Sequence, residues 1–346
     1  MTNDILFETR GSAGVITLNK PETLNAVTDA MIRGIDEHLS TWEDDPAIDR
    51  VIIKAVEGRA FSAGGDIRHL YERGMAGDYD YDFFAREYQL NARIAAYPKP
   101  YIALIDGIVM GGGVGVSFHG SHRIAGPNIG FAMPEVGIGF FPDVGGSYLL
   151  SRLPGNLGVY LGLTGGRVKQ ADAVTSGLAT HACDDLDALE QALCSSGNAE
   201  DTVAKHSIEV SKGPHLENLK AINACFGAGS VADIVTRLEK FSDYENENKV
   251  WAEKTLATLR QKSPTSLEIA FRQIRRGADL SMPDCMKMEY RILRRILSGQ
   301  EFYEGIRAAI IDKDGAPQWQ PDTLSKVDPA IIEQHFADLG AEELPL

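Results

Sequence analysis

Two glycine-rich runs bracket the stretch from Met110 to Gly146: MGGGVG opens it and FAMPEVGIGFFPDVGG closes it. Glycine lets a backbone N–H come close to a ligand, because no Cβ stands in the way. Two carboxylates, Glu135 and Asp143, lie in the second run among Phe131, Met133, Phe140 and Phe141. Apolar walls desolvate a carboxyl group and favour its neutral form. Close-approaching donors beside tuned acids predict acyl chemistry.

Strand and helix patterns frame this stretch. Ile5 to Thr9 and Val15 to Leu18 flank the turn signal GSAG and predict a β-hairpin. Met31, Ile32, Ile35 and Leu39 recur at helical spacing within Asp29 to Trp42. Val51 to Ala55 and Tyr101 to Ile105 read as strands, each leading through a glycine-containing loop to a helical start. Strands alternating with helices predict βαβ units and a mostly parallel sheet. From about Asn156 the strand signals fade, and Asp187 to Leu193, Val231 to Phe241 and Lys249 to Arg260 read as amphipathic helices. The methionines of DLSMPDCMKMEYRILRRIL fit the buried face of such a helix.

Composition bounds the function. With 346 residues, 44% hydrophobic and 24% charged, the chain suits a soluble α/β core with a helical extension. No apolar run reaches the ~18 to 20 residues that cross a bilayer. The first residues, MTNDILFETRG, lack the basic and apolar regions of a signal peptide, so a cytoplasmic location is expected. Cys183, Cys194, Cys225 and Cys285 form no C-x-x-C pair, which predicts reduced structural thiols. A formal net charge of −15 argues against nucleic acid as a partner. An anionic ligand therefore requires a local basic patch or a helix N-terminus.

The loops AFSAGGD (60–66) and MGGGVG (110–115) each follow a strand and precede a helix. Tight turns alone explain either one. Taken together they predict that one N–H from each, at Gly65 and Gly112, points at a common oxygen as an oxyanion hole. Neither loop has the spacing of a dinucleotide-binding fingerprint. Glu135 and Asp143 read as the catalytic pair, since apolar burial of a carboxylate is costly unless its shifted pKa is used; the alternative is plain structural acids. Glu87, in FFAREYQLN, lies on an aromatic helix and faces either the same cavity or solvent. His119 and His122 lack a third metal ligand nearby, and Ser117 and Ser147 lack a G-x-S-x-G elbow.

With these residues assembled, the chain resembles the crotonase (enoyl-CoA hydratase/isomerase) superfamily over nearly its whole length. The likeness is carried by AFSAGGDIR, FFAREYQLN, MGGGVGVSFHG, FAMPEVGIGFFPDVGGSYLLSRLPG, KSPTSLEIAFRQIRRG and EFYEGIRAAIIDKD. It implies a ClpP/crotonase-like ββα-superhelix core over residues 1–185 and a helical region over 186–346 that covers the active site. It implies hydrolysis of a short 3-hydroxyacyl-CoA thioester, with 3-hydroxyisobutyryl-CoA, an intermediate of valine degradation, as the expected substrate. Gly65 and Gly112 match the oxyanion donors, Glu135 and Asp143 the active-site carboxylates and Glu87 a substrate contact. Coenzyme A is expected along Leu24, Asn25 and Ala26 and along Ala63, Gly64, Asp66, Ile67 and Arg68, with Arg68 near the phosphates and Lys313 a weaker candidate. It enters as part of the substrate, and no cofactor or metal is implied. A homo-oligomer stays open, as do a hydratase or isomerase and a non-catalytic relative of the same fold. A hydratase needs a first glutamate after the GGG loop, where this chain has Gly115.

Overall fold

A computed structural model describes residues 3–195, 197–243 and 248–346. The described residues contain strands β1 (Ile5–Arg10), β2 (Ala13–Leu18), β3 (Arg50–Ala55), β4 (Ala60–Ser62), β5 (Tyr101–Ile105), β6 (Ile108–Val109), β7 (His122–Ala125), β8 (Gly130–Phe131) and β9 (His181–Ala182). β1 and β2 close the expected hairpin, antiparallel, with Ile5 opposite Leu18 and Arg10 opposite Ala13. The larger sheet runs β1-β2-β3-β5-β7-β9 and is parallel from β2 onward. A smaller parallel sheet runs β4-β6-β8. Each of β3, β5 and β7 is followed within a few residues by a strand of the smaller sheet, so a ββ step repeats along the chain. This is the α/β architecture expected from the sequence. The sequence pattern does not predict β4, β6, β7, β8 or β9, because strands of two to four residues are too short to display a clear alternation.

The parallel strands are covered on both faces, as such sheets require. Ala13, Val15, Ile52, Ile102, Leu104 and Ile124 form one cluster with Leu189 and Leu193 of the helix Leu186–Leu193 and Val203 of the helix Ala199–His206. On the opposite face of β2, Gly14 meets Trp42: a Cβ at Gly14 would lie 2.4 Å from the indole ring. Trp42 belongs to the helix Asp29–Asp44, which Thr28 caps by accepting from the Met31 amide at 3.3 Å. Met31, Ile32, Ile35 and Leu39 are its buried stripe, as their spacing predicts.

The chain folds as two compact units, each built from three segments. The first comprises Met1–Asp66, Ala85–Ala132 and Arg167–Leu216 and holds both sheets. The second comprises Ile67–Phe84, Met133–Gly166 and Glu217–Leu346 and is helical among its described residues. Within it the helix Pro264–Gly277 packs on Gly146–Ser151 and Leu157–Thr164. Ser263 caps that helix, with Pro264 in its first turn, where a missing N–H costs nothing. In the helix Met282–Leu297 the residues Met282, Met286 and Met288 are buried, in keeping with a core stripe. Among the described residues no helix is long and apolar enough to cross a membrane.

Candidate active site

In the first unit the loop after β4 is laced to the segment after Lys20. The Ala63 amide donates to the Leu24 carbonyl at 3.0 Å, the Val27 amide donates to the Gly64 carbonyl at 2.8 Å, and Val27 bridges Gly65 in parallel. Leu24 and Asn25 both hold φ of 54°. Asn25 sustains that left-handed turn with its buried side chain: Oδ1 accepts from the Lys20 amide at 2.7 Å and Nδ2 donates to the Ala60 carbonyl at 3.1 Å. Leu24, Asn25, Ala26, Ala63, Gly64 and Gly65 are thus one braced neighbourhood. Gly64 takes φ of 110°, which an L side chain rarely adopts.

The second glycine loop lies beside the first because β4 and β6 pair, with the Met110 amide donating to the Ser62 carbonyl at 3.0 Å. A Cβ on Gly64 would sit 3.8 Å from the Met110 carbonyl. The turn tightens into the short helix Gly112–Gly115, where a Cβ on Gly113 would lie 2.5 Å from the Ser62 carbonyl. The amides of residues 113–118 all donate to main-chain carbonyls within the turn. Among the described residues, the amides of Gly65 and Gly112 donate to none. Glu87, buried on the helix Tyr81–Ala95, faces Gly112. Salt bridges from Arg86 to Asp29 and from Arg93 to Asp36 and Glu43 pin that helix to Asp29–Asp44.

In the second unit Glu135 opens the 3-10 turn Glu135–Ile138, behind Pro134, and is buried. Gly139 ends the turn with φ of 70°. Motifs distant in sequence hold it. The Ser263 amide donates to the Val136 carbonyl at 3.3 Å, and a Cβ on Gly137 would lie 3.1 Å from Nζ of Lys262, whose pKa burial lowers. The Ser263 hydroxyl donates to the Glu301 carboxylate, which burial raises above its usual range, while Gly139 packs on the Glu301 carbonyl. KSPTSL and EFYEG therefore brace the turn that carries Glu135. Phe140 stacks among Phe84, Phe141 and Phe302, with ring centroids 4.7 to 6.3 Å apart.

Asp143, also buried, sits in a strained loop: Val144 holds φ of 48° and Gly145 of 86°. The Gly146 amide closes it by donating to the Asp143 carbonyl at 2.7 Å. Glu289, wholly buried on Met282–Leu297, accepts from the Gly145 amide through one oxygen and from the Ser147 amide through the other, each at 2.8 Å. Gln273 donates to the Pro142 carbonyl at 2.5 Å and to the Ser147 hydroxyl at 3.3 Å. Burial pushes the Glu289 carboxyl up to about 8; hydrogen bonds from Ser147 and Gly145 oppose the shift and the Asp143 charge adds to it.

Sequence reasoning misses Glu289, although a signal is present. It lies four and three residues after Cys285 and Met286, and three and four before Ile292 and Leu293, inside the helix's apolar stripe. A carboxylate there must be partnered.

Of the expected coenzyme A contacts, Asp66 ends the first loop and is exposed, while Ile67 and Arg68 begin the helix Ile67–Met75 in the second unit. The Arg68 guanidinium donates to the Ile310 carbonyl at 3.2 Å, three residues before the exposed Lys313.

Residues 13–336 match the enoyl-CoA hydratase/isomerase family model. The chain is 46% identical to the mitochondrial 3-hydroxyisobutyryl-CoA hydrolase of Xenopus tropicalis, over 99% of this chain and 91% of that protein. It is 41% identical to the human enzyme of that name, over 99% and 90%. Two solved structures are also similar: a carnitinyl-CoA dehydratase from Mycobacterium thermoresistibile (TM-score 0.93, 37% identity, 99% of both chains) and an enoyl-CoA hydratase from Rhodobacter sphaeroides 2.4.1 (TM-score 0.92, 40%, 99% and 100%). The mitochondrial location of the hydrolases overturns the cytoplasmic expectation. That expectation rested on a test for a secretory signal, which does not discriminate between the cytoplasm and an organelle.

Proposed function

The chain belongs to the enoyl-CoA hydratase/isomerase (crotonase) family, and we propose that within it the chain hydrolyses the thioester of 3-hydroxyisobutyryl-CoA to 3-hydroxyisobutyrate and free coenzyme A. The observation that carries this reading is the pair of abutting glycine loops, whose Gly65 and Gly112 amides are uncommitted to main-chain carbonyls beside a buried Glu87. Identity of 41–46% over 99% of this chain to hydrolases of that name supports the reaction type.

On this reading the thioester oxygen takes both amides, and charge developing on it is stabilised by donors already in place. Glu135 supplies the attack on the carbonyl carbon, either by drawing a proton from water or by adding its own oxygen to give a mixed anhydride that water then opens. The carbon–sulfur bond breaks, and the proton lost by water, either to Glu135 on the first route or as the anhydride is opened on the second, ends on the thiolate. Asp143 and Glu87 orient the substrate's 3-hydroxyl or the water. Leu24, Asn25, Ala26 and Ala63, Gly64, Asp66 and Ile67 line the course of coenzyme A, with Arg68 serving its phosphates.

A hydratase is the second reading, favoured by the names of the two similar structures. Gly115 weighs against it, since by the family resemblance a hydratase carries a glutamate at that position. Thiol release from 3-hydroxyisobutyryl-, 3-hydroxypropionyl- and acetyl-CoA, run beside the enoyl absorbance of crotonyl-CoA, separates the two. Rapid thiol release from the hydroxyacyl substrates is expected. Rapid loss of crotonyl absorbance without any thiol release would overturn hydrolysis.

A further inference from the structure

The segment Pro142–Ser147 adopts a shape its own residues do not favour. Val144 is β-branched and left-handed, with φ of 48°, a conformation held only when its surroundings over-determine it. Two side chains from distant helices supply that constraint. Glu289 binds the amides on either side of Gly146, at Gly145 and Ser147, and Gln273 binds the Pro142 carbonyl. The three contacts enclose Asp143 on both flanks, and the Glu289 and Asp143 carboxyls are near enough for the charge of one to act on the other. Helix packing alone does not call for a carboxylate at position 289, since apolar side chains fill the stripe above and below it.

We infer that Glu289 is a positioning residue for catalysis, holding the 142–147 loop so that the Asp143 carboxylate keeps its working orientation, with Gln273 as the second point of the same strap. This rests on the reading of Asp143 as a site carboxylate. Glu289→Gln keeps the side chain's shape but replaces an oxygen, which accepts from an N–H whether the carboxyl is ionised or protonated, with an NH2 that cannot, so one strap contact is lost. Strain stored at Val144 then relaxes through Asp143, while the glycine loops proposed to bind acyl-CoA keep their own hydrogen bonds.

The test is steady-state thiol release from 3-hydroxyisobutyryl-CoA by wild type, E289Q, D143N and the double variant, with circular dichroism and thermal melts on each. E289Q is expected to lower kcat about 30-fold with KM within about twofold, and to lower it less than about threefold further in the D143N background, because residues acting as a unit are non-additive. A merely structural Glu289 leaves the two effects additive, and that overturns the inference. D143N impaired with E289Q near wild type also overturns it, while leaving the reading of Asp143 intact. D143N near wild type overturns that reading and the strap with it. Should E289Q fail to fold, Q273M, which removes the Pro142 contact at near-constant volume, takes its place with the same expected coupling to D143N and the same overturning results.

Discussion

Gly112 and Glu87 are in steric register: a methyl built on the Gly112 Cα would lie 2.7 Å from Oε1 of Glu87 and 3.2 Å from Cβ of Val27. Any side chain at 112 would therefore displace the buried Glu87 carboxylate or the Val27 side chain. Gly112→Ala keeps the amide but forces Glu87 aside, and a misplaced donor or contact is expected to cost ~10- to 100-fold in kcat/KM. At Gly65 a methyl would find its nearest neighbour, the Val27 carbonyl, 4.0 Å away. Gly65→Ala is therefore expected to melt within about 2 °C of wild type, while Gly112→Ala melts several degrees lower. Equal melting temperatures for the two variants would sink the steric account.

Glu135 is buried on a turn braced from Ser263, Lys262 and Glu301, so its backbone is held independently of its carboxyl group. Glu135→Gln should leave fold and KM nearly unchanged and lower kcat ~10²- to 10⁴-fold, the range expected for loss of an acid–base group. A variant within a few-fold of wild type in kcat would remove Glu135 from the mechanism.

Much of this was legible in the chain. The hairpin, the helix Asp29–Asp44, the strands β3 and β5 and the helix bearing Glu87 all show hydrophobic periods long enough to read. β4, β6, β7, β8 and β9, two to four residues each, show none. The glycine loops pointed to Gly65 and Gly112, but only the fold reveals that β4–β6 pairing sets them side by side. Local sequence likewise cannot disclose that Ser263 and Glu301 brace Glu135, or that Glu289 clamps the loop of Asp143, because these partners lie more than a hundred residues away. Their own signals, a Ser-Pro helix cap and a carboxylate on an apolar stripe, mark constraint without naming the partner.

Substrate choice follows from the acceptor that meets the 3-hydroxyl. If Glu87 or Asp143 takes that role, an acyl group without the hydroxyl deprives a buried carboxylate of a donor, at ~1 to 3 kcal/mol or more. 3-Hydroxyisobutyryl-CoA is therefore expected to exceed isobutyryl-CoA at least about tenfold in kcat/KM. Comparable values for the two would exclude a hydroxyl-binding carboxylate. With Gly115 in place of a glutamate, hydration of crotonyl-CoA is expected to be marginal.

Burial of Glu289 also couples stability to pH. Glu289 has an ordinary carboxyl pKa of 4.5 when exposed, and burial raises it to about 8 in the native chain. Below pH 4.5 it is protonated in both states. Between there and about 8 the native chain holds a proton that the unfolded chain has released, so fewer protons are bound in the unfolded state and the unfolding free energy falls as pH rises. The stabilisation is present at low pH and lost through this window, with a slope of at most about 1.4 kcal/mol per pH unit. The many surface carboxylates, several held below their usual range by arginines, act in the opposite sense mainly at lower pH. Comparing wild type with Glu289→Gln cancels them, because they are common to both. Urea unfolding from about pH 5.5 to about pH 8.5 should show wild type losing stability relative to the variant as pH climbs, with the difference levelling above about 8. Parallel curves across that range would mean that Glu289 is ionised in the native state, and that the two amides at Gly145 and Ser147 outweigh its desolvation.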